Sequence, residues 1–209
     1  MGKPRKEARP RRDEYAERTR EALLAAACEL FGRAGFSETS LDTIAAKARL
    51  TKGAVYHHFK NKREVFRAAY ELLAAELVRD AERAGQCAAG PLDKARASTQ
   101  ALLERCTDPR LRRVLFLDGP SVLGGIECRE IDRKYALGMV RAVLEPFVQA
   151  GEIDVASDLV LGLLIEGSQL VARSKDPAAA RARVESAIFR MVLGLSKAGP
   201  EARLTAAGA

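Results

Sequence analysis

The chain has no tryptophan, seven Phe, four Tyr and only two His among its 209 residues. The two histidines, His57 and His58, are adjacent, so the C-terminal half offers no Glu-x-x-His pair and a helical di-iron centre is not expected. Cys28, Cys87, Cys106 and Cys128 each stand alone, with no CxxC pair and no nearby His. That spacing argues against zinc and for free thiols in a reducing compartment, a redox switch being the alternative. Neither GxSxG, a Cys/His constellation nor a glycine-rich phosphate loop occurs, so no catalytic centre, metal or cofactor is expected. No run of 18 apolar residues exists either, and the basic N-terminus lacks the apolar core of a signal peptide. Position 6 is Lys6, where a myristoylation signal needs Ser or Thr. These absences predict no membrane association and a cytoplasmic location.

What is present is 47% hydrophobic and 30% charged, rich in Ala, Leu, Arg and Glu, which reads as a mainly helical chain long enough to bury a core. The net charge of +7 is unevenly placed. Residues 1–75 carry 16 Lys or Arg against 10 Asp or Glu, and the remaining 134 residues carry 19 against 18. An N-terminal excess of this kind suits attraction to phosphate.

The excess coincides with the stretch Thr39–Lys62, TSLDTIAAKARLTKGAVYHHFKNK. Leu41, Ile44, Ala45 and Ala48 share one face of a first short helix, and Val55 and Phe59 one face of a second. Thr39 or Ser40 opens the first helix and Thr51 the second, and Leu50 plugs the gap between them. This is helix-turn-helix spacing. Left outside on the second helix are Lys52, Gly53, Tyr56, His57 and Lys60, a set of donors around a gap that suits a DNA groove.

The run ALLAAACELFGRAGFSETSLDTIAAKARLTKGAVYHHFKNKREVF resembles the DNA-binding domain of the TetR (tetracycline-repressor-like) family of bacterial transcription regulators. The resemblance rests on Leu30-Phe31, Gly35-Phe36, Thr39-Ser40, Ile44-Ala45, Thr51-Lys52-Gly53, Tyr56, His58-Phe59 and Lys62, about a quarter of the chain. One departure is Ala48-Arg49-Leu50, where the family reads AGV. Arg in a left-handed turn position costs roughly 1 kcal/mol. The resemblance implies that Lys52 and Gly53 enter the major groove and that Tyr56 and His57 touch a base edge, a thymine methyl or phosphate. Ser40, Thr51, His58, Lys60 and Lys62 are then phosphate contacts; packing between helices is the alternative for Tyr56 and His58.

Residues 1–12 hold six Lys or Arg with Pro4 and Pro10, and are expected to be a disordered basic arm that either reaches a neighbouring groove or merely solubilises the chain. Residues 13–62 form the expected DNA-binding domain, with a first helix over 13–32. A capping box at Asn61 and Glu64 starts a long connecting helix. Residues 63–198 form the C-terminal domain and 199–209 a tail. Asp108-Pro109 is expected to open a short helix stopped by Asp118-Gly119-Pro120, and a further helix to run over 126–150 until Gly151.

Leu159–Ile165 is apolar on every side, and Val184, Ile188, Met191, Val192 and Leu195 follow heptad-like spacing. These residues and Leu163 are expected to form a four-helix homodimer interface, the usual arrangement of the resembled family; burial within one subunit is the alternative. The family also places a small-molecule effector in its C-terminal domain, and the candidates are Phe116, Leu117, Tyr135, Met139, Phe147, Glu166 and Gln169. Glu166 and Gln169 interrupt an apolar helix and need a partner if buried. The expected fold is therefore all-α: a three-helix DNA-binding domain joined by a long helix to a helical ligand-binding and dimerisation domain. The expected function is a homodimeric repressor released from a palindromic double-stranded DNA operator by the effector. An activator, a ligand-independent architectural protein and a helical-bundle enzyme are the alternatives.

Overall fold

The computed structural model describes residues 11–194, and among these every regular element is helical. Helix starts follow side chains that accept the orphan N–H groups of the first turn. Ser40 caps α2 (Leu41–Lys47): its Oγ accepts from the Thr43 N–H at 3.0 Å, while Thr43 Oγ1 accepts from the Ser40 N–H at 3.0 Å. Thr51 caps α3 (Lys52–His58) at 3.2 Å, and Asn61 caps α4 (Lys62–Gln86) at 2.9 Å. Glu64 departs from the expected box, because its Oε2 accepts from the Lys60 N–H at 2.8 Å, one residue before the cap.

The first helix, α1 (Arg11–Glu38), starts earlier than expected and continues beyond Gly32. Its break comes at Gly35, with φ of 85°. A side chain there would be strained, and a Cβ would stand 2.4 Å from Arg113 Nη2. The arm expected over residues 1–12 lies outside the described residues except for its last two, which belong to α1.

The turn between α2 and α3 keeps the geometry its family resemblance implies. Arg49 has φ of 57°, the one non-glycine residue with positive φ among those described. Its N–H donates to Ala46 O at 3.1 Å, and the Leu50 N–H donates to Ala45 O at 2.9 Å. This is the double closure of a Schellman motif, and these bonds offset strain of roughly 1 kcal/mol. Phe31, Phe36 and Phe66 then join α1, its terminal loop and α4, with Phe66 meeting the other two edge-on at 5.1 and 5.2 Å. Ile44 and Val55 are fully buried beneath this layer, so α3 is fixed to the start of α4.

The C-terminal domain comprises α5 (Pro91–Arg105), α6 (Pro109–Leu111), a π-helical segment (Arg112–Asp118), α7 (Gly119–Val122), α8 (Gly125–Leu144), α9 (Ile153–Arg173) and α10 (Pro177–Gly194). Two boundaries correct the sequence reading. Asp118-Gly119-Pro120 does not stop the helix: the π-helical turn, with the Gly119 N–H on Val114 O, widens the backbone where the Pro120 ring would otherwise meet the preceding carbonyl. Conversely, α8 ends at Leu144 rather than near Ala150, because Pro146 has no N–H to continue the ladder. Gly151 therefore plays no part in that ending.

The last two helices also differ from expectation. A Cβ at Gly167 would lie 2.7 Å from Val184 Cγ1 and 3.2 Å from Ile188 Cδ1, so both side chains pack inward on α9 of the same subunit. Ile188 is buried there within the one subunit. Leu195 lies outside the described residues, as does the tail expected over 199–209. What faces out is a stripe on α9, with Val155, Leu159 and Leu170 exposed and Leu163 half-buried, beside Met191 on α10. By length and composition α9 is the one described helix apolar enough to cross a membrane, yet half of that window is buried inside the protein.

Candidate nucleic-acid interface and interior cavity

Capping aims the start of α3 outward. Lys52, Gly53, Tyr56 and His57 are exposed, and a Cβ at Gly53 would meet nothing closer than Thr51 Oγ1 at 3.8 Å. Lys52 Nζ sits 3.0 Å from Asp42 on α2, and this neighbour favours its charged form. Ser40, Lys52, Tyr56 and Lys62 border one shallow concavity between the start of α2 and α3. His57, exposed Lys60 and the capping Thr51 lie outside it.

Two expected phosphate contacts are engaged within the protein. Lys62 Nζ donates to Phe36 O at 2.9 Å and to Ser37 O at 3.4 Å, and lies 4.3 Å from the Phe36 ring centroid. It ties the end of α1 to the start of α4. His58 is half-buried near His57, and its pKa is lowered by desolvation and by the neighbouring His57 and Arg20 charges. A neutral imidazole at neutral pH follows. Arg20, whose guanidinium stacks 5.3 Å from the Phe59 ring centroid, joins this corner and was not anticipated.

The second feature is a cavity of about 260 Å³ bordered by α4, α5, the π-helical segment, α7, α8 and α9. Of the expected effector residues, Phe116, Tyr135, Glu166 and Gln169 line it. Leu117 does not, because the π-helical turn directs Leu115 and Phe116 inward instead. Met139 lines a separate small void with α5 and α10, and Phe147 lies past the end of α8. Glu166 is exposed rather than buried, so it needs no buried partner.

The polar end of the cavity holds residues that sequence reasoning missed. The Tyr70 hydroxyl donates to Asp132 Oδ1 at 3.1 Å. Burial pushes the Asp132 carboxyl up to about 6, against lowering by that hydrogen bond and by Arg129. A signal existed: Cys128, Asp132, Tyr135 and Met139 follow helical spacing, so Asp132 shares the inward face.

Comparisons with known proteins agree with this architecture. Residues 23–69 match the bacterial regulatory proteins of the tetR family, and residues 92–195 match the tetracyclin repressor-like C-terminal domain. The chain is 31% identical over 198 residues to the HTH-type transcriptional regulator SrpR of Pseudomonas putida, covering 85% of this chain and 86% of that one. It is 42% identical over 53 residues, a quarter of each chain, to the HTH-type transcriptional repressor BepR of Brucella suis. A crystal structure of a TetR-family transcriptional regulator from Pectobacterium atrosepticum superposes with a TM-score of 0.76 at 27% identity, covering 90% of this chain and 98% of that one. These relatives are regulators, not enzymes. The capped α3, the helical domain behind it and the similarity to SrpR over 85% of the chain together place the chain in the TetR family of DNA-binding transcription regulators.

Proposed function

We propose that the protein is a homodimeric, cytoplasmic repressor that binds a palindromic operator and is released when a small molecule enters the 260 Å³ cavity. The observation that carries this reading is that one element serves both ends of the switch. The π-helical segment lines the cavity through Leu115 and Phe116, and its last residue, Asp118, accepts a hydrogen bond at 2.8 Å from the main chain of Phe36. A ligand that shifts this segment therefore acts directly on the end of α1.

Dimerisation uses the outward stripe of Val155, Leu159, Leu163 and Leu170 with Met191, a row of large apolar side chains that a solvated monomer leaves exposed. Half-buried Val192 flanks it. Twofold pairing sets the two readers to meet major grooves about 34 to 36 Å apart, and ligand and DNA favour different separations. Lys52 and Gly53 read base edges, Tyr56 and His57 extend the contact, and Ser40, Thr51 and Lys60 hold phosphate. Similarity to a relative named as a repressor favours repression over activation. Titration of a selected operator with and without candidate ligands tests the reading. Ligand-dependent release supports it, whereas operator binding that no compound changes favours an architectural role.

A further inference from the structure

The cavity proposed as the effector site is chemically lopsided. Its walls are mostly apolar, from Leu77 on α4 through Phe116 to Leu164 on α9. Three aromatic residues line it, Tyr70, Phe116 and Tyr135, in a chain with few aromatics. At its polar end stands Asp132, whose one hydrogen-bond partner among the described residues is the neutral Tyr70 hydroxyl. Among those residues no cation lies within ion-pair distance of this carboxylate. Glu166 adds a second carboxylate to the lining, on its exposed side. The single cation there is Arg129, whose exposed side chain lies against α9, with Nη2 3.4 Å from where a Cβ of Gly162 would stand.

We propose that this cavity takes a small organic cation, an arylalkylammonium, with its charged nitrogen on the Asp132 carboxylate and its ring among the aromatic side chains. The proposal rests on reading the cavity as a ligand site. A half-buried ionised carboxylate beside mostly apolar walls is costly without a counter-charge, and an ammonium supplies one together with hydrogen bonds to the oxygen that Tyr70 leaves open. Aromatic faces attract the same charge. An anionic ligand would bring like charge against Asp132; Arg129, although exposed, already acts on that carboxylate and offsets this only in part. A neutral alcohol donates one hydrogen bond and leaves the charge uncompensated. Size agrees: the cavity falls just below the roughly 300–1,000 Å³ of typical small-molecule pockets, so the ligand is compact.

The test uses three probes of nearly one shape: 2-phenylethylamine, protonated near neutral pH, 2-phenylethanol, neutral, and phenylacetate, an anion. Calorimetry on the full chain is expected to rank the amine at least about tenfold tighter than the alcohol, with phenylacetate weakest. Asp132→Asn, nearly isosteric, should cost the amine at least about tenfold while leaving the alcohol unchanged, so a misfolded variant is recognised by loss of both. Equal or tighter binding of alcohol or acid, undiminished amine binding by Asp132→Asn, or no saturable amine binding up to about 10 mM would overturn the proposal. Operator release is measured separately. An amine that binds without releasing DNA upholds the ligand class and defeats the effector reading, whereas release by neutral or anionic compounds alone does the reverse.

Discussion

The main-chain N–H of Phe36 donates to the carboxylate of Asp118 at 2.8 Å, joining residues 82 positions apart in the chain. Arg113 braces the same junction, with Nε 3.5 Å from Asp118 Oδ1 and Nη2 donating to Ala34 O at 3.4 Å. The end of α1 thus hangs on the segment that walls the cavity. Asp118→Ala should cost about 1.5–3 kcal/mol of stability, the usual worth of a hydrogen bond to a charged group. It should also shrink the ratio of operator affinities with and without ligand. Denaturant titration reads the first effect and paired operator titrations the second. An unchanged ratio would leave the contact a purely structural tie.

Lys52 and Lys62 separate reading from scaffolding. Lys52→Ala should weaken operator binding by about 1–3 kcal/mol and relax selectivity, with the fold unaffected. Lys62→Ala removes the tie to Phe36 and Ser37, so it should lower the melting temperature and weaken operator and random DNA alike. Binding to both DNA types at several salt concentrations, alongside thermal melts, distinguishes them. Equal losses of selectivity in the two variants would show that Lys52 is not the reading residue.

Asp132 should make stability depend on pH. Its folded pKa, raised from 3.8 to about 6, means that the folded state holds the proton more tightly than the unfolded one. Stability is therefore lost as pH rises through that window and stays lost above it. The groups acting on it are Tyr70 on α4 and Arg129 on α8, with Cys128 beside them, and the exposed Glu166 on α9 lines the same cavity. Asp132→Asn should stabilise the ligand-free protein at neutral pH by about 1–3 kcal/mol, with the gain vanishing below the ordinary carboxylate range. Denaturation midpoints across pH check this, and a pH-independent difference would contradict it.

Leu159 is 58% exposed in the middle of the α9 stripe. If the proposed dimer forms through this stripe, Leu159→Glu should leave helicity intact, yield a monomer and strongly reduce operator affinity. Sedimentation with circular dichroism reads both properties. A dimer that survives this substitution would place the interface elsewhere.

The DNA-reading domain was legible in the sequence because its signals are local. Caps at Ser40, Thr51 and Asn61 sit next to the turns they close, and Arg49 takes its left-handed turn where the family resemblance put one. Ile44 and Val55 are buried because short helices with one apolar face leave few alternatives. The cavity was only partly legible. A π-helical turn shifts which residues face inward, so Leu117 drops out while Phe116 stays. Pro146 ends α8 early and leaves Phe147 beyond the wall. Asp132 was missed because a carboxylate in an amphipathic helix reads as solvent-facing. Its half-burial against the cavity and its hydrogen bond from Tyr70 on α4 are tertiary features.

The most direct measurement is to recover the sheared genomic DNA that the protein retains at physiological salt, then footprint the protein on the recovered sites and determine how many copies bind. The expected result is a recurring palindrome whose half-sites lie one helical turn apart, occupied by two subunits and lost with Lys52→Ala. Retention of DNA without any recurring sequence, or occupancy by a single subunit on an isolated half-site, would contradict a paired reader at the pitch of the duplex.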